Sequence, residues 1–573
     1  DAQVYPDGTQ IELAPSYHAV SLNNFLAVVN LCNLNDITLP GDYVAKLERM
    51  FDFYLYMSQP SGSIPSLNDS WPVNVRAELQ KGYGLFGRED YLYVATMGAE
   101  GKEPAARSYA FPYAGYYIMR TGWDRHDKYL LFDGGPCGGW HGNDDKLAVL
   151  LEAYGQPMLV EAGVYSYDQS KWREFSLSTA GHNTILVDGL GQNRRNFGTA
   201  KPPFQKTDTL WLTGPLFDYA SSSYTDGYGP QNKLKAVHER SVLFVKPNYF
   251  LIRDVVDGED KGTHHIESLY NIQASEAFAS NGKVFTQELG SPNLLLQQVE
   301  ADGITAKVYK GSEDPMRGWI AMSHQAIPAA SFQQTGEFPL KQTVLVHPFP
   351  DEVQEITTMA VAPTNSGSWS GWAVKVESPV SRDFVVVQSD TVSDFTLDGE
   401  TVKVGAQILV ERDFGDHQYW GVQELTVLET PYFSLRASGA AGQLAIFRQG
   451  KGHYVFANTG SAPVSLNWQS KEDVPGCIFN LDQNLVRGEI IGNEADYLNL
   501  APGQIIELTP DKHAKLEISS LQPPDKYELA FQLPRYRDLG YPSAVELDEV
   551  LRIRGVDFSE EIGGKVTLVE HKV

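Results

Sequence analysis

Cysteine is scarce in this sequence. Only Cys32, Cys137 and Cys477 occur in 573 residues, and they lie far apart. That excludes a disulfide scaffold and a cysteine-ligated metal centre. Long apolar runs are also missing, since none reaches the roughly 18 to 20 residues needed to cross a bilayer. The opening Asp1-Ala2-Gln3 shows neither the charged nor the apolar region of a secretory leader. Basic residues are few: 46 Lys and Arg stand against 72 Asp and Glu, for a formal net charge of −26. A general nucleic-acid binder would carry a basic face instead. The same field slows the approach of any polyanion, so an anionic substrate requires a local basic cleft. Lys171, Arg173, Arg194 and Arg195 cluster in sequence and are the candidates for one. Several catalytic signatures are absent as well: a G-x-S-x-G elbow, a P-loop, a dinucleotide fingerprint and H-E-x-x-H. Acidic pairs that would permit a glycosidase are scattered, with nothing to single one out.

What remains is a turn-rich chain, with 11% aromatics, 51 Gly and 32 Pro. Its length calls for about two to four domains. Apolar residues at helical spacing predict helices over 18–31, 42–57, 75–85 and 90–97, with Ser16 as a plausible N-cap for the first. Period-2 patterns take over from Phe111, and turn signals such as Asp188-Gly189, Asp257-Gly258 and Asp398-Gly399 punctuate them. This predicts stacked antiparallel sheets. A second β unit begins near Thr430 and ends in a polar tail. The expected organisation is α+β and multidomain: helices over 1–108, a β-sandwich over 109–429 and a smaller β domain over 430–573. Four helices with wide apolar stripes cannot bury themselves well, so they are expected to be the last part of a larger helical array.

The densest polar stretch is Gly138-Gly139-Trp140-His141-Gly142-Asn143-Asp144-Asp145-Lys146, set between two predicted strands. A histidine framed by glycines at a strand end has little apolar cover and much backbone freedom. The next strands deliver Glu161 and then Gly181-His182-Asn183-Thr184. One reading is a polar cluster that pins a sheet; the other is a functional site, and the whole set favours the second.

The run from Gly115 to Gln192 (GYYIMRTGW, GGWHGNDDKL, AYGQPMLVEAGVYSY, STAGHNTILVDGLGQ) resembles the heparinase II/III-like polysaccharide lyases. The usual pattern there is HGHxD, a carboxylate and Gly at a strand end, then (S/T)xxHNT before a strand. One departure is Asn143, which stands where the second histidine of HGH is usual. The resemblance implies an (α/α) toroid ahead of the sheets, with the tract Tyr5–His18 in its later half. A preceding helical segment is therefore expected to be absent from this chain. It also implies a secreted or periplasmic bacterial enzyme with an acidic polysaccharide as its partner, and neither nucleic acid nor membrane.

In such lyases the tyrosine of the tract, here Tyr17, faces the sheet histidine, here His141, across the cleft. β-Elimination of a uronate glycoside removes the C5 proton, protonates the O4 leaving group and neutralises the carboxylate. Tyr17 suits the acid role, or the base role if its phenolate is stabilised. His141 suits the base role or holds the carboxylate. His18, Asn68, Trp140, Tyr167, Arg173 and Asn183 are the expected substrate-binding residues, through stacking on sugar rings and forked hydrogen bonds to carboxylates. Asn143, Glu161 and His182 occupy the positions where the resembled enzymes hold zinc. Asparagine is a weak zinc ligand, so Mn²⁺, Ca²⁺ or a metal-free polar knot are the alternatives. Any such metal is structural, and no organic cofactor is expected. The acidic chain and the modest number of basic residues near the motifs lean towards alginate, with a heparin or heparan sulfate lyase as the alternative. A glycoside hydrolase and a non-catalytic carbohydrate-binding protein are the rivals.

Overall fold

A computed structural model describes residues 3–195 and 204–350 continuously, most of 355–509, and two further strands, Glu528–Gln532 and Val550–Arg554. The remainder of the polar tail lies outside the described residues. The chain folds into two compact units, Asp1–Thr213 with Asp218–Val353, and Gly214–Phe217 with Gln354–Val573.

The first unit opens with helices α1 (Pro15–Leu34), α2 (Gly41–Met57), α3 (Arg76–Phe86) and α4 (Glu89–Ala95). Ser16 does not cap α1. The helix starts one residue earlier, at Pro15, whose fixed φ and missing N–H suit a first helical position. Ser16 sits inside the first turn, and its N–H donates to Ser70 Oγ at 2.8 Å. α2 buries Leu47, Met50, Phe51, Tyr54 and Leu55 of the stripe that its spacing predicts, and leaves Val44, at its start, exposed. α1 buries only Pro15, His18 and Leu22, and its far side leaves Val20, Val28, Leu31 and Leu34 exposed. No helix among the described residues is long and apolar enough to cross a membrane.

The helices are not a free-standing domain. Phe51, Phe53, Tyr54, Leu79 and Tyr91 share one core with Tyr116, Ile118, Tyr129, Leu131 and Leu150 of a five-stranded antiparallel sheet. That sheet runs Tyr109–Phe111, Tyr116–Arg120, Tyr129–Asp133, Val149–Ala153 and Gln156–Leu159 in order. Its three middle strands are buried on both faces, which explains why Tyr129–Phe132 and Val149–Leu151 read as continuous apolar runs rather than alternation. On the face away from the helices, Tyr117 packs against Trp211 at 5.5 Å between ring centroids.

An eight-stranded antiparallel sheet and a four-stranded one complete the unit. The long hairpin Ala236–Val245 with Tyr249–Gly258 anchors the former. In the latter, Ile185–Val187 pairs with His264–Asn271, which places the Gly181–Thr184 turn at a sheet edge. Ser268 donates to Gln342 Oε1 at 2.6 Å, tying the two sheets together through a buried hydrogen bond. Helices packed on stacked antiparallel sheets are thus the architecture of this unit.

The second unit is a large antiparallel sheet whose core includes Phe395, Trp420, Phe433, Tyr454 and Trp468. The expected boundary at 429/430 falls inside this core. His417–Glu429 and Phe433–Gln449 are consecutive strands paired along most of their length, so residue 430 lies in a hairpin turn.

Candidate active site

His141 is placed by glycines. Gly138 and Gly139 both adopt positive φ, and Gly139–His141 forms a single 3₁₀ turn. A Cβ at Gly142 would sit 1.6 Å from the Cys137 carbonyl oxygen, so no other residue fits without moving the loop. A Cβ at Gly138 would lie 2.6 Å from the Glu12 carbonyl oxygen, which shows how closely the loop before α1 presses on this one.

The two acids after the histidine hold the loop from below. Asp144 accepts from the N–H groups of Arg194 and Arg195 and from Arg195 Nε, and Asp145 accepts from Arg194 at 3.0 Å. Buried Arg240, paired with Asp254, donates to the carbonyls of Leu147 and Asn183 at 2.8 and 2.6 Å.

Tyr17, in the first turn of α1, stacks on His141 with ring centroids 3.7 Å apart and planes 18° from parallel. The expected arrangement across a cleft is therefore corrected, because no sugar ring fits between two stacked rings. His141 Nδ1 lies 2.8 Å from Glu12 Oε2, and the His141 carbonyl accepts from the Asp69 N–H at 3.0 Å. The Tyr17 hydroxyl shares a 2.8 Å hydrogen bond with the Tyr167 hydroxyl. Partial burial, that bond and the Asp69 carboxylate all raise the Tyr167 pKa, so Tyr167 keeps its proton. Arg173 lies over the Tyr167 ring at 4.6 Å and grips Asp69 through both guanidinium nitrogens.

The structure thus brings Tyr17, His141, Tyr167 and Arg173 together, and adds Glu12 and Asp69. Trp140 is beside them and 90% exposed. Three of the expected substrate-binding residues lie elsewhere. His18 is buried among Phe53 and Tyr54, its Nδ1 accepting from the Gln10 N–H and its Nε2 donating to the Met50 carbonyl. Burial lowers its pKa to about 4, so it is a neutral core residue. Asn68 is a buried brace: it donates to the Leu13 carbonyl and Tyr116, and accepts from the Asn143 N–H at 2.9 Å. Asn183 is fully buried and spends its amide on the Val149 and Val160 carbonyls and the Asn271 N–H. Each spends its polar atoms on buried backbone groups.

In the expected metal set, two side chains bond directly to each other. His182 Nδ1 is hydrogen-bonded to Glu161 Oε2, and both side chains are buried. Burial opposes the imidazolium, but the Glu161 charge outweighs it and raises the His182 pKa to about 9. Burial likewise raises the Glu161 pKa, so the pair retains a proton. Asn143 instead donates to the Ser176 carbonyl at 3.4 Å. Asn143 Oδ1 and His182 Nε2 are both buried without a hydrogen-bond partner. Among the described residues, no three His, Cys, Asp or Glu side chains group into a metal site.

The expected basic cleft is not open either. Lys171 pairs with Glu313, Arg173 with Asp69, Arg194 with Asp145, and Arg195 with Asp144 and Glu174. Only the Lys171 pair is well exposed, and exposed pairs exchange partners at little cost. A separate cavity of about 660 Å³, lined in part by Glu174, Arg195, Tyr309 and Arg317, includes neither Tyr17 nor His141.

Sequence reasoning missed Glu12, although it lies in the tract that carries Tyr17. It also missed α5 (Lys171–Leu177), a short helix capped by Ser170 that carries Arg173. His324, stacked on Trp172 at 4.1 Å and bonded to the Tyr165 hydroxyl, carried no sequence signal.

Two family models match the chain: the heparinase II/III N-terminus over residues 1–93 and the heparinase II/III-like C-terminal region over 103–369. A heparin-sulfate lyase of Pedobacter heparinus is 30% identical over 311 residues, covering 52% of this chain and 45% of the relative. One of Bacteroides stercoris is 28% identical over 339 residues, covering 57% and 47%. The chain spans about half the length of the curated relatives it matches. Among solved structures, the heparan sulfate lyase HepC from Pedobacter heparinus aligns with a TM-score of 0.56 at 24% identity, covering 66% of this chain and 58% of that one. A heparinase III structure aligns at 0.55 and 17% identity, covering 70% and 60%. With both family models matched in order, and with the glycine-framed histidine and the tract tyrosine brought into contact, the chain belongs to the heparinase II/III-like family.

Proposed function

We propose that this protein is a polysaccharide lyase acting on a glycosaminoglycan of the heparin or heparan sulfate type, cleaving it by β-elimination. The lean towards alginate is corrected: the curated relatives named here are heparin-sulfate lyases, and none is an alginate lyase. That lean rested on whole-chain charge and on the number of basic residues near the motifs in sequence, and neither describes which side chains line one site.

The observation that carries the reading is the Tyr17–His141 stack at the junction of helices and sheet. His141 Nε2, which makes no hydrogen bond among the described residues, takes the C5 proton. The C5–H electrons form the C4=C5 double bond as the C4–O4 bond breaks, and the Tyr17 hydroxyl protonates O4. The proton gained by His141 then leaves to solvent, and the Tyr17 phenolate, held by its hydrogen bond from Tyr167, takes one back from solvent, so both groups return to their starting states. A pair that acts from one side suits a uronate whose C5–H lies syn to O4. Arg173 and exposed Lys171 are the cations nearest in sequence to Tyr167, and Trp140 offers an open aromatic face. The match to the family's N-terminal region supports reading α1–α4 as part of an (α/α) toroid.

His182 Nε2 and Asn143 Oδ1, buried and unpartnered, fit a bound divalent cation, with Glu161 fixing the His182 ring from behind. Such an ion would supply positive charge that ties two loops together. An oxygen ligand from Asn143 favours a hard ion.

The test is ultraviolet absorbance of the conjugated uronate during incubation with heparan sulfate, heparin, chondroitin sulfate and alginate. Unsaturated ends from heparan sulfate or heparin support the proposal. Saturated ends would identify a hydrolase, and no cleavage of any polymer would leave a binding protein.

A further inference from the structure

We infer that Glu12 is a positioning residue that sets the tautomer of His141, and this rests on the reading that His141 takes the C5 proton. A neutral imidazole carries its proton on one nitrogen and can accept only at the other. Left in water, histidine favours the proton on Nε2, which would present the sugar with a donor where the elimination needs an acceptor. A carboxylate only accepts, so one placed against Nδ1 selects the Nδ1–H form and leaves the Nε2 lone pair free. Glu12 Oε2 lies 2.8 Å from Nδ1, with both side chains only partly open to solvent, at 26% and 18%.

Glu12 is not a loose rim residue. Its N–H donates to Gln10 Oε1 at 3.0 Å, and its carbonyl lies against Gly138. The next residue, Leu13, holds φ of 58°, and its carbonyl accepts from Tyr116 at 2.8 Å and from Asn68 at 3.1 Å. The imidazole is constrained from other sides too. Tyr17 covers one face at 3.7 Å, and the His141 carbonyl is held by the Asp69 N–H. Glu12 can therefore fix which nitrogen faces outwards without touching substrate. The proton from C5 arrives at Nε2 while the Nδ1 proton stays on the Glu12 hydrogen bond, so the imidazolium forms without any further transfer.

The experiment reads the tautomer directly, by long-range proton–nitrogen spectra of the full chain labelled with ¹⁵N-histidine. His141 is assigned by the signal lost in His141→Ala. Wild type should show a protonated Nδ1 and a bare Nε2, and Glu12→Ala should reverse them. The same variant should lose roughly 10²–10³ in kcat on heparan sulfate, the scale of a misplaced general base, with KM within about threefold. A wild-type spectrum with the proton on Nε2 overturns the inference whatever the variant does, and so does a Glu12→Ala enzyme within about twofold of wild-type kcat. If no polymer yields unsaturated ends, the proposed function fails while the spectra still decide the tautomer. If unsaturated ends form and the tautomer is wrong, the function stands and Glu12 loses its role.

Discussion

Tyr17 and His18 are neighbours in sequence, and the first turn of α1 turns them to opposite environments. Tyr17 meets His141 and Tyr167, whereas His18 faces Phe53 and the Met50 carbonyl. Tyr17→Phe keeps the stack and removes only the hydroxyl. It should lower kcat by about 10²–10⁴ with an unchanged melting curve. Near-wild-type turnover in that variant would dismiss Tyr17 as the acid. His18 should instead act through stability. Its folded pKa of about 4 lies below the ordinary 6.5, so the unfolded chain binds a proton that the folded one refuses. Its contribution is fully present above pH 6.5 and is lost as pH falls towards 4, by roughly 3 kcal/mol in total. Denaturant melts across that range should show a slope that flattens in His18→Gln. An equal slope in both proteins would contradict the assignment.

Among the elements, the glycine-rich turn at 138–142 is the least tolerant of change. Gly142→Ala must displace the loop, because its Cβ would overlap the Cys137 carbonyl. Turnover should fall by at least about tenfold, as expected for a reacting group moved by a fraction of an ångström. Binding of a heparan sulfate oligosaccharide, read by calorimetry, should survive. Turnover equal to wild type would mean that the loop relaxes freely. This turn was legible in the sequence, since strand patterns flanked it and the glycines marked it. Helices α1–α4 were legible for the same reason, to within a few residues at each end. The roles of His18, Asn68 and Asn183 were not. A polar residue in a motif looks alike whether it meets a sugar or a stranded carbonyl, and only burial separates the two. Glu12 was hidden differently: its partner lies 129 residues away, and no local spacing reports such a contact. α5 was missed because seven residues are too short for periodicity to declare itself.

For the molecule as a whole, the buried unpartnered atoms Asn143 Oδ1 and His182 Nε2 bear on stability. With a divalent cation there, removal by a chelator should lower the melting temperature by several degrees, because a ligand bound only by the folded state stabilises it. Elemental analysis should find about one ion per chain, and re-addition should restore the transition. Protein free of metal as purified, with no thermal response to added Ca²⁺, Mn²⁺ or Zn²⁺, would leave a hydrogen-bonded knot in its place. The site also has a temporal consequence. Its contacts join residues 55, 103, 104, 129 and 150 positions apart, through Leu13 with Asn68 and Tyr116, Asp69 with Arg173, Glu12 with His141, and Tyr17 with Tyr167. Closing such long loops is entropically costly until the sheets beneath them exist. During refolding, then, secondary structure should return first and catalysis last, so recovered activity is a clock for completion of the first unit.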